Sequence, residues 1–288
     1  MNDNLVLINL FPYSLSGRYY KKWTKEENRF TPNSWLSLMF LAIDVAVALI
    51  FLILIYDFGV RQVITPTVRG FSCSDASIRN EFHANTISAK HLLFVTLALP
   101  MAVIFASIII NNSHKNVALT PSVIAAQTSH HYLHYIIIYF FMTVALEIVK
   151  CQVGRLRPHF ITVCQPDLSI CDKDPNAWVS DYTCNTTTRR LRNIRTSFPS
   201  GHTAAAVFST FYILNFVRRT VKSRTLEATL YKYGVIVCYV TWTVICAVSR
   251  VTDFWHFTSD VICGAIFGVI SCHFLLKIIP SLFPSKEE

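Results

Sequence analysis

The chain has 288 residues, of which 52% are hydrophobic and 15% are charged, and its mean hydropathy is +0.41. Soluble domains carry about 25% charged residues, so this composition argues against an ordinary soluble protein. The formal net charge is +9. We assign this positive charge to the flanks of membrane spans and to a binding site for an anionic ligand. We predict no nucleic-acid partner.

The N-terminal segment, residues 1–34, is polar and contains five basic residues but no apolar run. Such a segment does not fit a secretory signal peptide. Basic residues favour the cytosolic side of the span that they flank. We therefore predict a cytosolic segment followed by a first span that acts as a signal anchor.

Six apolar runs follow this segment, and a bilayer core of about 30 Å requires about 20 apolar residues per helix. The runs predict an all-α fold, a bundle of six transmembrane helices over residues 35–276, with a short cytosolic tail at 277–288. The alternative is a soluble helical protein with buried core helices, but six runs exceed what one soluble core needs. The predicted spans are Trp35–Tyr56, His91–Ile110, Tyr132–Val149, Thr203–Val217, Tyr231–Val248 and Phe257–Leu276.

Six spans put the loops 57–90 and 151–202 outside, in the extracellular space or in the lumen of an endomembrane. The basic residues give mixed support, since five follow the fourth span on the inner side but seven lie in the long outer loop. The sequence predicts a multi-pass protein of the plasma membrane or an endomembrane, and it leaves a homo-oligomer open. Four of the outer basic residues either attract anionic headgroups or belong to a solvated loop: Arg189, Arg190, Arg192 and Arg195.

The outer loops also contain an even number of cysteines, which fits disulfides in an oxidising compartment. The pairing cannot be read from the sequence. Asn185-Thr186-Thr187 is an acceptor site for N-glycosylation in the same long loop. The four cysteines are Cys73, Cys164, Cys171 and Cys184.

Three polar motifs fall at the outer ends of the predicted spans. The first ends the third span, the second begins the fourth, and the third joins the fifth to the sixth. All three therefore lie on one side of the membrane and could form one site. They contribute Lys150 and Arg157, then Ser200, Gly201 and His202, and finally Arg250, His256 and Asp260.

The third motif contains a histidine and an aspartate four residues apart, a spacing that stacks them on one helical face. Asp260 can hold one ring nitrogen of His256 and leave the other free to attack a phosphoryl group. The alternative is a histidine at a helix start with an ordinary hydrogen-bond partner.

Three cations accompany this pair. Arg157 and Arg250 present planar forks that match phosphate oxygens. Lys150 is either a point charge for the same anion, a side chain reaching the membrane interface, or a partner of Glu147. Together the three cations could stabilise the charge on the equatorial oxygens during phosphoryl transfer.

The second motif, Pro199-Ser200-Gly201-His202, precedes an apolar helix. Ser200 can cap that helix, Gly201 allows the backbone to approach an anion, and the first N–H groups point at any anion bound there. His202 could protonate the leaving alkoxide as a general acid. A plain helix N-cap is the alternative.

No cluster of acidic side chains suited to Mg²⁺ and no Cys/His set with zinc spacing is evident. We therefore predict neither a metal site nor a cofactor.

The three motifs, in this order and on one side, resemble the signature of the type 2 phosphatidic acid phosphatase superfamily. Three further segments resemble its animal lipid phosphate phosphatase branch, namely residues 69–75, 154–160 and 248–253. The resemblance covers residues from about 35 to 276. It leaves two other readings open: a membrane phosphatase or phosphotransferase for polyprenyl or sugar phosphates, and a non-catalytic membrane adaptor of the same fold.

The resemblance implies a metal-independent phosphatase in which His256 is the nucleophile, Asp260 orients it, and His202 is the acid. It implies a phosphohistidine intermediate and hydrolysis of phosphatidate, lysophosphatidate, sphingosine 1-phosphate and ceramide 1-phosphate in the bilayer. The implied phosphate-binding residues are Lys150, Arg157, Ser200, Gly201 and Arg250.

Overall fold

The computed structural model of the chain describes residues 34–113 and 120–278. Apart from their edges, the two predicted cytosolic segments, 1–34 and 277–288, lie outside these residues. The described part is almost entirely helical, which confirms the predicted all-α class.

Six long helices account for most of the described residues. The first, α1 (Ser34–Leu54), continues through a π-helical stretch (Ile55–Val60) into a last turn (Arg61–Val63). The second, α2 (Ala89–Ser113), contains a π-helical stretch at Phe94–Ala98. The others are α3 (Pro121–Val153), α7 (Gly201–Thr220), α8 (Leu226–Thr252) and α9 (Thr258–Ile278).

Among the described residues, five helices are long and apolar enough to cross a bilayer, and this makes the chain a multi-pass membrane protein. The third begins well before the predicted Tyr132, because polar side chains in its first half find partners inside the bundle. Gln127, for example, accepts a hydrogen bond from the Asn112 side chain of α2 over 3.0 Å. The five segments are Val45–Val63, Ala89–Ser113, Val123–Val153, Leu226–Thr252 and Thr258–Ile278.

Helix α7 is too polar to be one of these five, and the count of six spans therefore stays a prediction. It begins beside the end of α3 and contacts α2, α3, α8 and α9. Its 20 residues rise by about 30 Å, and half of its side chains are buried. A helix surrounded by other helices does not need the apolar surface that lipid demands of an exposed one.

Two glycines of α9 allow its backbone to lie directly against α7. A Cβ atom added at Gly264 would lie 2.6 Å from the Ser200 carbonyl oxygen, and one at Gly268 would lie 2.6 Å from the Ala204 carbonyl oxygen. Small residues at this four-residue spacing are typical of close helix contacts in membranes. The contact fixes the start of α9 relative to the second motif.

The two outer loops form a cap over one end of the bundle. The cap holds three short helices, α4 (Phe160–Cys164), α5 (Ser169–Lys173) and α6 (Thr188–Ile194), and an antiparallel pair of strands, β1 (Phe71–Ser72) and β2 (Trp178–Val179). Residues of both loops share a small apolar core.

Two disulfides join parts of this cap, which confirms that the outer cysteines pair. Cys73 pairs with Cys171 and links the two loops, whereas Cys164 pairs with Cys184 within the longer loop. Thr67 also donates its backbone N–H to the Cys151 carbonyl over 2.9 Å. These ties hold the cap against the end of α3.

Candidate active site

The three motifs meet under the cap. The Ser200 N–H donates to the Asp260 carbonyl over 2.9 Å, which joins the second motif to the third. The His256 N–H donates to the Arg250 carbonyl over 3.0 Å within the third. Lys150 lies in the last turn of α3 with its ammonium beside Gly201, since a Cβ added at that glycine would lie 2.9 Å from Nζ.

His256 and Asp260 form a buried pair at the start of α9. Their side chains are 2% and 0% exposed, and His256 Nδ1 lies 3.7 Å from Asp260 Oδ2. Burial, followed by the charge of Arg157, lowers the pKa of the His256 imidazole below its usual range. The ring is therefore neutral near pH 7, which is the form that can act as a nucleophile.

Two further residues hold this aspartate. Ser197 donates its hydroxyl to Asp260 Oδ2 over 2.6 Å and lies 3.5 Å from His256 Nδ1. Arg155 donates from Nη1 to Asp260 Oδ1 over 2.6 Å. The Phe257 N–H donates to Oδ2 over 3.0 Å. Both carboxylate oxygens are thus engaged by neighbours other than His256.

The second motif has the predicted helix-start geometry. Ser200 is fully buried and caps α7, and its hydroxyl lies 3.0 Å from that of Thr203. The Nε2 atom of His202 is buried and has no hydrogen-bond partner among the described residues. Lys150, Gly201 and His202 keep partial exposure while most of the site is buried. An anion would therefore reach the site along these three residues.

Of the alternatives for Lys150, the pairing with Glu147 is not the one that the structure shows. Glu147 instead accepts from Arg192 Nη2 of α6 over 2.6 Å and from the Tyr56 hydroxyl over 3.2 Å. Arg192 is accordingly a residue that ties the cap to α3. No carboxylate of the described residues lies within ion-pair distance of the Lys150 ammonium, so its charge is available to an anion.

Arg157 is buried and is oriented by residues of the cap and of the turn before α9. It donates from Nε to the Asn193 carbonyl over 2.7 Å, from Nη2 to the Asn193 side chain over 2.8 Å, and from Nη1 to the Trp255 carbonyl over 3.3 Å. Its guanidinium also packs over the Trp255 ring. Burial lowers the pKa of Arg157 to about 9, so the group remains a cation at neutral pH. These bonds use three of its five N–H donors.

Arg250 is buried in a second polar network. Its Nη1 donates to the Asn85 side-chain oxygen over 2.6 Å, and its Nε and Nη2 atoms lie within 3.2 Å of the Ser249 hydroxyl. Asp253 lies 3.4 Å from Nη2 and accepts from both the N–H and the hydroxyl of Thr86. The first outer loop therefore helps to hold a residue of the third motif.

A cavity of about 500 Å³ lies in the cap, but its lining includes none of the predicted catalytic or phosphate-binding residues. It shares two residues with the surroundings of Arg157. Its lining includes Phe82, His159, Asn185, Arg190, Asn193 and Trp255. Asn185, the predicted glycosylation site, is exposed at this cavity.

Within residues 34–113 and 120–278, no three His, Cys, Asp or Glu side chains come together as a metal-binding group. The prediction of metal-free chemistry stays a prediction that an activity assay must test.

Residues 131–283 match the model of the PAP2 superfamily. The chain is 31% identical to a Drosophila melanogaster protein named as a phosphatidate phosphatase, over 76% of this chain and 63% of that protein. It is 26% identical to phospholipid phosphatase 1 of Rattus norvegicus, over 78% of this chain and 79% of the rat protein. It is 32% identical to a Caenorhabditis elegans phospholipid phosphatase homolog, over 78% and 70%. No solved structure shows a significant match.

The chain belongs to the PAP2 superfamily. These relatives also confirm the predicted resemblance to the animal lipid phosphate phosphatase branch.

The PAP2 match contains all three motifs but excludes the first outer loop. Sequence reasoning missed Asn85 in that loop, and no local signal marks it. It also missed Ser197 and Arg155, although each stands within a few residues of a motif. Position beside a motif is a signal that could have selected these two for closer attention.

Proposed function

We propose that this chain is an integral-membrane, metal-independent phosphatase of lipid phosphate monoesters, with phosphatidate, lysophosphatidate, sphingosine 1-phosphate and ceramide 1-phosphate as substrates. The broader statement, a phosphatase of the PAP2 superfamily with lipid substrates in a bilayer, rests on the family match and on relatives named phospholipid phosphatase. The observation that carries the proposal is the buried His256–Asp260 pair, which lies beside three cations at the end of a membrane helix bundle.

In the first step, the lone pair of His256 Nε2 attacks phosphorus and the ester P–O bond breaks. Asp260 orients the ring through Nδ1. His202, in the imidazolium form that the negative charge of a bound phosphate favours, gives its proton to the leaving alkoxide and becomes neutral, and the lipid alcohol departs. The product on the enzyme is a phosphohistidine, and the buried Nε2 of His202 gains the partner that it lacks in the free protein.

In the second step, a water oxygen attacks phosphorus while His202 accepts a water proton. The N–P bond breaks, its electron pair returns to His256 Nε2, and inorganic phosphate leaves. Lys150, Arg157 and Arg250 stabilise the charge that builds on the equatorial oxygens in both steps, helped by Ser200 and Gly201 at the start of α7.

The position of the site supports a lipid substrate. Lys150 and Arg250 belong to the last turns of α3 and α8, and Asp260 belongs to the first turn of α9, all of them helices able to cross the membrane. The phosphate of a lipid lies at this depth, where the hydrocarbon region meets water. A water-soluble ester gains nothing from this location.

We place the site on the extracellular or lumenal side, in the plasma membrane or an endomembrane. The two disulfides support this side, because such bonds persist in oxidising compartments. Asn185 is exposed on the same cap and is proposed to carry an N-glycan.

The test is phosphate release from phosphatidate in detergent micelles that contain EDTA. We expect release by the native chain and none by His256→Ala. His273→Ala is the matched control, since this exposed histidine also lies on α9 but outside the site. Loss of native activity in EDTA would reject the metal-free mechanism, and full activity of His256→Ala would reject the nucleophile.

The same assay, run with a panel of lipid, polyprenyl and sugar phosphates, tests the substrate class. We expect the highest kcat/KM with glycerolipid or sphingolipid monoesters. Preference for a polyprenyl or sugar phosphate would overturn the substrate proposal and leave the chemistry intact. Binding without turnover of any ester would favour the adaptor.

A further inference from the structure

Arg155 is a charged residue of the site that has no part in the steps above. It lies between the first motif's Lys150 and Arg157, and its side chain is 36% exposed. It donates from Nη1 to Asp260 Oδ1 over 2.6 Å and to the Ser259 hydroxyl over 2.8 Å. Its guanidinium also packs over the Phe257 ring. These contacts hold it against the start of α9.

The contacts of Arg155 decide how much of the Asp260 charge His256 experiences. Asp260 Oδ1 is engaged by Arg155, and Oδ2 is engaged by the Ser197 hydroxyl and the Phe257 N–H. His256 Nδ1 lies 3.7 Å from Oδ2, which is longer than a hydrogen bond. A carboxylate that is already neutralised by a guanidinium attracts a neighbouring imidazolium less strongly.

We propose that Arg155 is a positioning residue that speeds hydrolysis of the phosphohistidine at His256. It does so by neutralising part of the Asp260 charge, so that the carboxylate interacts less strongly with the ring. This inference rests on the proposed function, because it concerns the phosphohistidine formed there. Arg155 itself touches neither the phosphate nor the attacking water.

The chemical reason lies in the second step. When water attacks phosphorus, the N–P bond breaks and its electron pair must return to His256 Nε2. A less basic imidazole is a better leaving group and a weaker nucleophile. Without the Arg155 charge, Asp260 would hold the Nδ1 proton more strongly and make the ring more electron-rich. Phosphorylation would then be faster and dephosphorylation slower.

Other charged groups around His256 do not replace Arg155. Lys150 of α3, Arg157 of the following loop, Arg250 of α8 and His202 of α7 all interact electrostatically within this site. Lys150 and Arg157 also interact with the Asp260 charge, but neither lies within ion-pair distance of its oxygens. Among the described ion pairs of Asp260, only that with Arg155 joins it to a permanently charged cation.

The experiment measures the phosphoenzyme directly in detergent micelles with ³²P-labelled phosphatidate. Acid-labile, base-stable label on the protein is counted in the steady state and during single-turnover decay. The variants are Arg155→Gln, which removes the charge, and Arg155→Lys, which keeps it. Lys173→Gln, which removes one exposed charge from the same cap, is the matched control.

We expect Arg155→Gln to raise the steady-state phosphoenzyme and to slow its decay by roughly tenfold, because loss of a nearby charge shifts a pKa by about one unit or more. The phosphoenzyme of Arg155→Lys and of Lys173→Gln should decay like that of the native chain. In a plot of the decay rate against pH, the midpoint on the acid side should also move to higher pH in Arg155→Gln.

Native decay in Arg155→Gln, with the native chain clearly labelled, would overturn the inference and leave the proposed function standing. Equal loss of labelling and of turnover in both Arg155→Gln and Arg155→Lys would identify a merely structural role and would also overturn the inference. A native chain that turns over phosphatidate without any label would instead reject the proposed mechanism.

Discussion

The side-chain oxygen of Asn85 lies 2.6 Å from Nη1 of Arg250 and connects the first outer loop to the third motif. Asn85→Ala should leave a buried guanidinium N–H without its partner, at a cost of about 1–3 kcal/mol. We expect kcat/KM for phosphatidate to fall by roughly 10-fold to 100-fold, mainly through a higher KM. Phosphate-release kinetics on the variant give the answer, with exposed Asn176→Ala as the control. Unchanged kinetics would show that Arg250 is held without Asn85.

The contact between α9 and α7 predicts a contrast between two glycines. In Gly264→Ala the new Cβ would lie 2.6 Å from the Ser200 carbonyl oxygen, so α9 must move away from the second motif. Overpacking of this kind costs about 1–3 kcal/mol, and we expect a lower Tm and reduced kcat. At Gly234 of α8 a Cβ would meet nothing within 4 Å, and Gly234→Ala should keep both native values. Thermal unfolding in detergent, followed with activity, compares the two variants. Equal behaviour would contradict the close contact.

The neutral state of His256 predicts a pH dependence. Burial, and then the charge of Arg157, lowers the pKa of this imidazole below the usual value of about 6.5. The folded chain therefore binds no proton here as the pH falls through 6.5, whereas the unfolded chain does. The nucleophile should stay available below pH 6.5, and the free energy of unfolding should decline there.

NMR titration of the His256 ring, assigned by its loss in His256→Gln, measures this pKa in micelles without substrate. The absence of lipid phosphate matters, because a phosphate group has its own ionisation near pH 6. A midpoint at or above 6.5 would contradict the expected burial of the ring.

The disulfide pairing can be checked by peptide mapping without reduction. We expect cross-linked peptides that contain Cys73 with Cys171 and Cys164 with Cys184. The other five cysteines are free and should accept an alkylating reagent after unfolding. A bond between Cys164 and Cys171, the nearest neighbours in sequence, would disprove the described cap.

The sequence predicted the helices well where composition decides the outcome. Five of the predicted spans lie within or largely overlap apolar helices, because hydrocarbon demands a long apolar segment wherever a helix meets lipid. The predicted start of α3, Tyr132, lies about three helical turns after its observed start at Pro121. Its polar histidines are tolerated inside the bundle, and hydropathy along the sequence does not account for burial between helices.

The features of the site were likewise predictable only where local sequence determines them. The four-residue spacing predicted that His256 and Asp260 would be neighbours, which they are, although His256 lies in the turn before α9 and not on the predicted helical face. The alternation of spans was enough to bring the motifs to one end. The partner of Glu147 was not predicted, because Arg192 is 45 residues away in sequence and reaches Glu147 through the fold of the cap. Asn85 reaches Arg250 across 165 residues, a distance that no local pattern encodes.

The position of α7 at the centre of the bundle has a consequence for how the chain is made. A helix that carries buried polar groups and exposes little apolar surface is poorly retained in a bilayer by itself. Thr210 lies 2.6 Å from its partner Thr243 on α8, and the glycines that fit against α7 belong to α9. Both partners are synthesised after α7 itself. The second motif therefore reaches its place late in biogenesis, when the last two helices join, and a nascent chain that stops before them has no completed phosphate site.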